Sequence, residues 1–205
     1  MLKLSTIAPI ILTTLLQATS ALCLEIGKTV PNFTAVNSHN QEVQLYDYTG
    51  KVVVLEWTNH ECPFVIKHYK SKNMQNTQTY AREKGVVWLS IISSATGKHG
   101  YVNGTQANDL TQERNANPNA ILLDPEGKIG KLFSARTTPH IYVIDAQQQL
   151  RYQGAIDDIN GLNFFTADVT KSKNYVKNTL DQLLSGKEIE VSETKPYGCS
   201  IKYKS

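Results

Sequence analysis

Residues 51–92 read KVVVLEWTNHECPFVIKHYKSKNMQNTQTYAREKGVVWLSII. Lys51–Trp57 is a β-branched apolar run of strand length, the kind buried on both faces. Pro63–Lys84 has helical composition, and Gly85 is a natural stop. Val86–Ile92 is a second buried strand. This is a strand–helix–strand unit, which calls for a parallel pair joined by a crossover helix.

Working outward, Phe33–Val36 and Gln41–Leu45 read as two short strands joined by a turn at Ser38–Asn40. Ser93–Gly104 is a loop and Gln106–Asn115 a polar helix. Ile121–Leu123 is a short strand running into an Asp-Pro-Glu-Gly turn, and Ile129–Ala135 a short helix. Ile141–Ile144 and Leu150–Ile156 are strands around a Gln-rich turn. Asn174–Leu184 is an amphipathic helix ended by Gly186. Lys187–Ser205 carries no clear pattern. The order βαβ, αβ, ββα predicts an α/β fold with parallel and antiparallel strands in one sheet. Chemistry in such folds gathers at the carboxyl ends of the parallel strands. The loop after Trp57 is such a place.

Thr58-Asn59-His60-Glu61-Cys62-Pro63 fills that loop. Pro63 suits the first helical position, where its missing N–H costs nothing. Cys62 then stands at or beside the N-cap, where helix amides and the macrodipole favour a thiolate. A thiolate attacks disulfides and peroxides. His60 adds a potential positive charge nearby, and Glu61 opposes it. Trp57 is expected to wall the thiol or to fill the core. The other reading of Cys62 is a buried, inert thiol. Thr137-Thr138-Pro139-His140 is the second feature, because proline at the start of an internal strand needs a reason.

The 205 residues hold 21 basic and 18 acidic side chains, a formal charge of +3. That balance argues against nucleic-acid or membrane-surface binding built on charge. Hydrophobic residues at 40% and charged residues at 19% suit one folded domain. Three cysteines are too few for a disulfide scaffold or a four-cysteine zinc site. No Walker loop, HExxH or GxGxxG is present.

Residues 1–21, MLKLSTIAPIILTTLLQATSA, have one lysine, a short apolar centre and small residues at the end. They read as a secretory signal peptide, cut after Ser20 or Ala21. The mature domain, 24–205, is then expected in the periplasm or secreted, with no stable membrane insertion. Asn32-Phe33-Thr34 and Asn103-Gly104-Thr105 match the glycosylation pattern, which has meaning only in a eukaryotic source.

The chain resembles the alkyl hydroperoxide reductase/thiol-specific antioxidant (peroxiredoxin-like, redoxin) group of thioredoxin-fold proteins. The matching pieces are GKTVPNFTAVNS (27–38), YTGKVVVLEWTNHECPFVIKHY (48–69), GVVWLSIISSA (85–95), LLDPEGKIGKLFSARTTPHIYVID (122–145), YQGAID (152–157) and PYGCSIKY (196–203). The resemblance implies a thioredoxin-like fold, a central mixed sheet flanked by helices. It implies Cys62 as the reactive thiol and Pro139 as a cis-proline facing it, with Thr138 and Pro139 shaping a substrate groove. Two departures stand out. Val65 occupies the second position of a Cys-x-x-Cys pair, and Leu55 and Asn59 replace the Pro and Thr/Ser of the efficient peroxidases. Arg136 is read as a surface arginine rather than a peroxidase's cationic helper.

A sulfenic acid or mixed disulfide on Cys62 needs a resolving thiol. Cys199, in Pro196-Tyr197-Gly198-Cys199, is the best placed. The alternatives are a permanent Cys62–Cys199 staple, or a Cys23–Cys199 pair that leaves Cys62 free. His60, His140, Cys62 and Cys199 have ligand chemistry but no ligand spacing, so no metal is expected. His68 is read as surface or packing, and Asp157-Asp158 as a solvated turn. The expected protein is an exported thiol oxidoreductase without a dissociable cofactor. It would act on a peroxide or protein disulfide and be restored by an external thiol reductant. The alternative is a non-catalytic thioredoxin-fold binding module with a structural disulfide.

Overall fold

The computed structural model describes residues 24–159, 164 and 166–204. The leader expected over 1–21, and Cys23, lie outside the described residues.

Seven strands form one sheet in the order β2-β1-β5-β4-β3-β7-β8. β3 (Val53–Trp57) is an interior strand, paired in parallel with the central strand β4 (Val87–Ile92) and antiparallel with β7 (His140–Ile144). β5 (Ala120–Leu123) continues the parallel set. β1 (Thr34–Asn37), β2 (Glu42–Gln44) and β8 (Leu150–Gly154) complete it antiparallel. All five β3 residues are buried, as the apolar run demands. The pleat divides them. Val53, Leu55 and Trp57 join one core with Phe133 and Tyr142, whereas Val54 joins the other with Cys62, Val65 and Trp88.

The helix expected over Pro63–Lys84 is two helices, α1 (Pro63–Lys70) and α2 (Asn73–Glu83). Lys72 between them adopts a left-handed backbone, φ +61°. The Gln75 amide donates to the Tyr69 carbonyl (3.0 Å), which an unbroken helix would need for its own ladder. The Asn73 amide donates to His68 Nδ1 (2.9 Å). These are side-chain contacts with no backbone-breaking residue type behind them.

The remaining helices are α3 (Gly104–Glu113), α4 (Lys128–Leu132) and α5 (Tyr175–Leu184). Asn103 and Gln106 form a reciprocal capping box at α3, and the Asn174 side chain accepts from Lys177 N (2.9 Å) at α5.

The unpatterned tail is part of the fold. Gln153 N donates to Ser192 O and Thr194 N to Gln153 O, both at 3.0 Å. Further on, β9 (Cys199–Ser200) pairs antiparallel with β6 (Thr137–Thr138), opposing Thr138 to Cys199. Ile201 N donates to Arg136 O (3.0 Å), and Tyr203 Oη to Ala135 O (2.8 Å). The tail therefore crosses the loop that leads into β7.

Candidate active site

Cys62 is the N-cap residue of α1, with an extended backbone (φ −74°, ψ 122°) and Pro63 at the first helical position. The turn before it is set by Asn59. Its side-chain oxygen accepts from Glu61 N (2.9 Å), and its carbonyl from Cys62 N (3.1 Å). Thr58 N prolongs the β3–β4 ladder by donating to Ile91 O (3.0 Å), so the loop leaves a rigid strand end.

The sulfur does not cap the helix: it accepts no first-turn N–H. Cys62 Sγ instead donates to the Thr138 carbonyl at 3.1 Å. Cys62 is also 0% exposed, buried among Val54, Val65 and Trp88.

The Thr138–Pro139 bond is cis. Thr138 is buried, and its carbonyl meets both the Cys62 sulfur and the close-packed backbone at Gly198. Gly198 has φ +134°, and a Cβ there would run into Thr138 O. Only glycine lets the tail lie this close.

Cys199 is partly exposed and packs against the core that holds Cys62. Burial first, then the neighbouring Cys62 thiol, push the Cys199 thiol up to about 12, with Lys202 opposing. Both cysteines are free thiols.

Of the other residues singled out by sequence, two lie elsewhere. Trp57 faces the opposite core, its indole N–H donating to Ser93 Oγ (3.0 Å) and its ring against Phe133 and Tyr142. Strand alternation turns it away from the thiol. His60 lines a cleft of about 460 Å³ with Tyr69, Leu110 and Arg114. Burial lowers its pKa, with Arg114 and His99 adding to the effect and Glu61 opposing. Glu61 pairs instead with His99 (3.4 Å). Among the described residues, no group of three or more His, Cys, Asp or Glu is gathered closely enough to hold a metal.

Sequence reasoning missed a buried polar chain beside the thiols. Asn73 donates to His68 Nδ1, so His68 Nε2 carries the proton and donates to Tyr197 Oη (2.9 Å). Tyr197 in turn donates to Asp157. Asp157 is not a solvated turn residue: it is 1% exposed and also accepts from Ser172 Oγ (2.9 Å). Burial raises its pKa, although Tyr197 and Ser172 oppose the shift, and burial lowers His68 to about 4. Tyr197 lies two residues before Cys199, so this chain ties the cysteine's approach to the body of the protein. No local pattern announces it, because its members come from α1, α2, the β8–α5 loop and the tail.

The AhpC/TSA family profile matches residues 26–153, well over half of the chain. The chain belongs to the AhpC/TSA family. No curated protein matches it. Solved structures similar to this AhpC/TSA chain include an uncharacterized conserved protein of Geobacillus kaustophilus. That likeness has a TM-score of 0.77 and 24% identity, covering 89% of this chain and 94% of that one. A hypothetical protein of Sinorhizobium meliloti aligns with a TM-score of 0.76 and 19% identity, over 89% and 97%. A putative thiol:disulfide interchange protein DsbE of Chlorobium tepidum aligns with a TM-score of 0.55 and 19% identity, over 80% and 98%. At these identities the likeness establishes the thioredoxin-like fold of the AhpC/TSA chain. No helix among its described residues is long and apolar enough to cross a membrane.

Proposed function

We propose that this chain is an exported thiol oxidoreductase whose redox couple is Cys62 and Cys199. The observation that carries the reading is that both cysteines meet at Thr138 beside the cis-proline: Cys62 Sγ donates to its carbonyl, and Cys199 is its partner across the β6–β9 ladder and packs against the core that holds Cys62. Cys62, once deprotonated, attacks a peroxide ROOH; the O–O bond breaks, ROH leaves and a sulfenic acid forms. Cys199 displaces hydroxide from that sulfur, which leaves as water, and a Cys62–Cys199 bond forms. With a disulfide substrate, Cys62 forms the mixed disulfide and Cys199 releases the substrate as a dithiol. Two electrons then return from an external thiol reductant. Thr138 and Pro139 frame the site. The sulfur carries the electrons, so no dissociable cofactor is required.

The signal-peptide pattern supports export to the periplasm or beyond. Complete burial of Cys62 favours a second reading, a thioredoxin-fold binding module with a structural disulfide. The test is oxidation of the reduced mature protein with hydrogen peroxide or a model disulfide, followed by alkylation and peptide mapping. The proposal expects a Cys62–Cys199 peptide, loss of two thiols per oxidant, and full return on adding dithiothreitol. Oxidant consumption by Cys62→Ser equal to that of the parent, or a bond that never reopens under native conditions, leaves the binding module.

A further inference from the structure

We propose that the cleft between α1, α2 and α3 is a binding site for a small carboxylate that carries an apolar body and one hydrogen-bond donor. The site is separate from the thiols, since neither Cys62 nor Cys199 lines it.

The cleft holds about 460 Å³, within the range of small-molecule sites. Ile66 and Tyr69 of α1 and Leu110 of α3 give it an apolar wall. It shares His60, Tyr69, Leu110 and Arg114 with a cavity of about 30 Å³ that is lined by Thr58.

Three buried side-chain oxygens among the described residues have no hydrogen-bond partner, and two of them belong to residues lining these spaces. Thr58 is 8% exposed, and its hydroxyl is unpartnered although its backbone N–H prolongs the sheet ladder. Gln75 donates its amide to the Tyr69 and Arg114 carbonyls, at 3.0 and 2.7 Å, and its Oε1 accepts nothing. Native proteins rarely leave buried polar atoms unpaired. A carboxamide oxygen can be satisfied only by a donor, and a hydroxyl by a donor or an acceptor. A ligand with an N–H or O–H group beside its anionic end meets both needs.

Charge selects the anion. The cleft carries one acid, Glu113, against Lys70, Lys72 and Arg114. Among the described residues none of these three cations forms an ion pair. Lys70 and Lys72 are exposed, whereas Arg114 is half-buried with its guanidinium carbon 5.1 Å from the Tyr69 ring centroid. That planar fork suits a carboxylate, which it can bind through two parallel hydrogen bonds. His60, its pKa lowered by burial, adds a neutral imidazole to the same wall. Apolar wall, cationic fork and unpaired oxygens thus ask for three features of one ligand.

The experiment titrates the full mature protein, reduced, with N-acetyl-L-phenylalanine and follows the backbone amide signals by NMR. Saturable shifts are expected, centred on the cleft residues from His60 to Gln75 and from Leu110 to Asn115. N-acetyl-L-phenylalaninamide, which lacks the charge, should bind about tenfold more weakly. Hydrocinnamate, which lacks the donor, should bind about threefold more weakly. Arg114→Gln should lose about tenfold in affinity for the acid. Thr58→Val should lose about threefold while its urea midpoint stays at or above that of the parent. Shifts centred outside the cleft, no saturable binding, equal affinity for either analogue, or parental affinity in either variant overturns the proposal. The analogue series needs no substitution, so it decides the matter even if a variant fails to fold.

Discussion

Glu56 shows how much a single buried side chain organises. It is 0% exposed and accepts from Trp88 Nε1 and Ser90 Oγ at 2.8 Å, Gln78 Nε2 at 3.1 Å and Tyr69 Oη at 3.3 Å. These four donors come from β4, α1 and α2, so the carboxylate fastens both helices to the sheet. Replacing it by leucine strands four buried donors. Glu56→Leu should lose at least about 3 kcal/mol in a urea titration. A loss below about 1 kcal/mol would mean that the donors find water. His68 and His140 are buried and neutral, with burial lowering them to about 4 and about 3. Their folded values lie below the unfolded one, so they contribute stability above the unfolded pKa that is lost as pH falls. Between about pH 6.5 and 4 each should remove up to about 1.4 kcal/mol per pH unit. Asp157, whose pKa is raised, works the other way: its stability is present at low pH and lost as pH rises through its folded value. Urea midpoints should fall between pH 7 and pH 5, with a shallower fall in His68→Gln. A flat profile would show that the histidines are not sealed.

Single elements depend on contacts that local patterns do not reveal. The strand at Lys51–Trp57 was legible because β-branched residues alternate into two cores, and the structure places it inside the sheet, between β4 and β7. The division of α1 from α2 was not, because Gln75 and Asn73 act on partners six and five residues away. The β6–β9 pair was illegible for a sharper reason: two residues carry no periodicity, and their partners lie 61 and 63 positions along the chain. Gly198 is its hinge. Gly198→Ala meets both an unfavourable φ and the Thr138 carbonyl. It should cost about 1–3 kcal/mol and raise Cys62 alkylation in the reduced protein at least tenfold. Unchanged labelling would show that the ladder does not screen the thiol.

At the scale of the whole molecule, the tail sets who can reach the chemistry. Deleting residues 195–205 removes Tyr197, Cys199 and Tyr203 together. The shortened protein should label at Cys62 at a rate near that of a small free thiol, and should unfold at lower urea. Tyr203→Ala is the gentler variant, vacating the Gly127–Gly130 seat and the hydrogen bond to Ala135 O, and should open Cys62 to a smaller degree. Labelling unchanged in both variants would place the barrier to Cys62 in the body of the fold.

The order of strands and helices, the mixed sheet and Cys62 at the start of α1 were written in the sequence. Apolar periodicity, proline geometry and helix caps act over a few neighbours, so a linear reading reaches them. That Cys62 turns its sulfur to Thr138, that Trp57 faces the other core, and that His68, Tyr197 and Asp157 join in one chain was decided only by the tertiary structure. Those contacts form where distant segments meet, and their energies depend on burial and direction, which no stretch of chain carries alone.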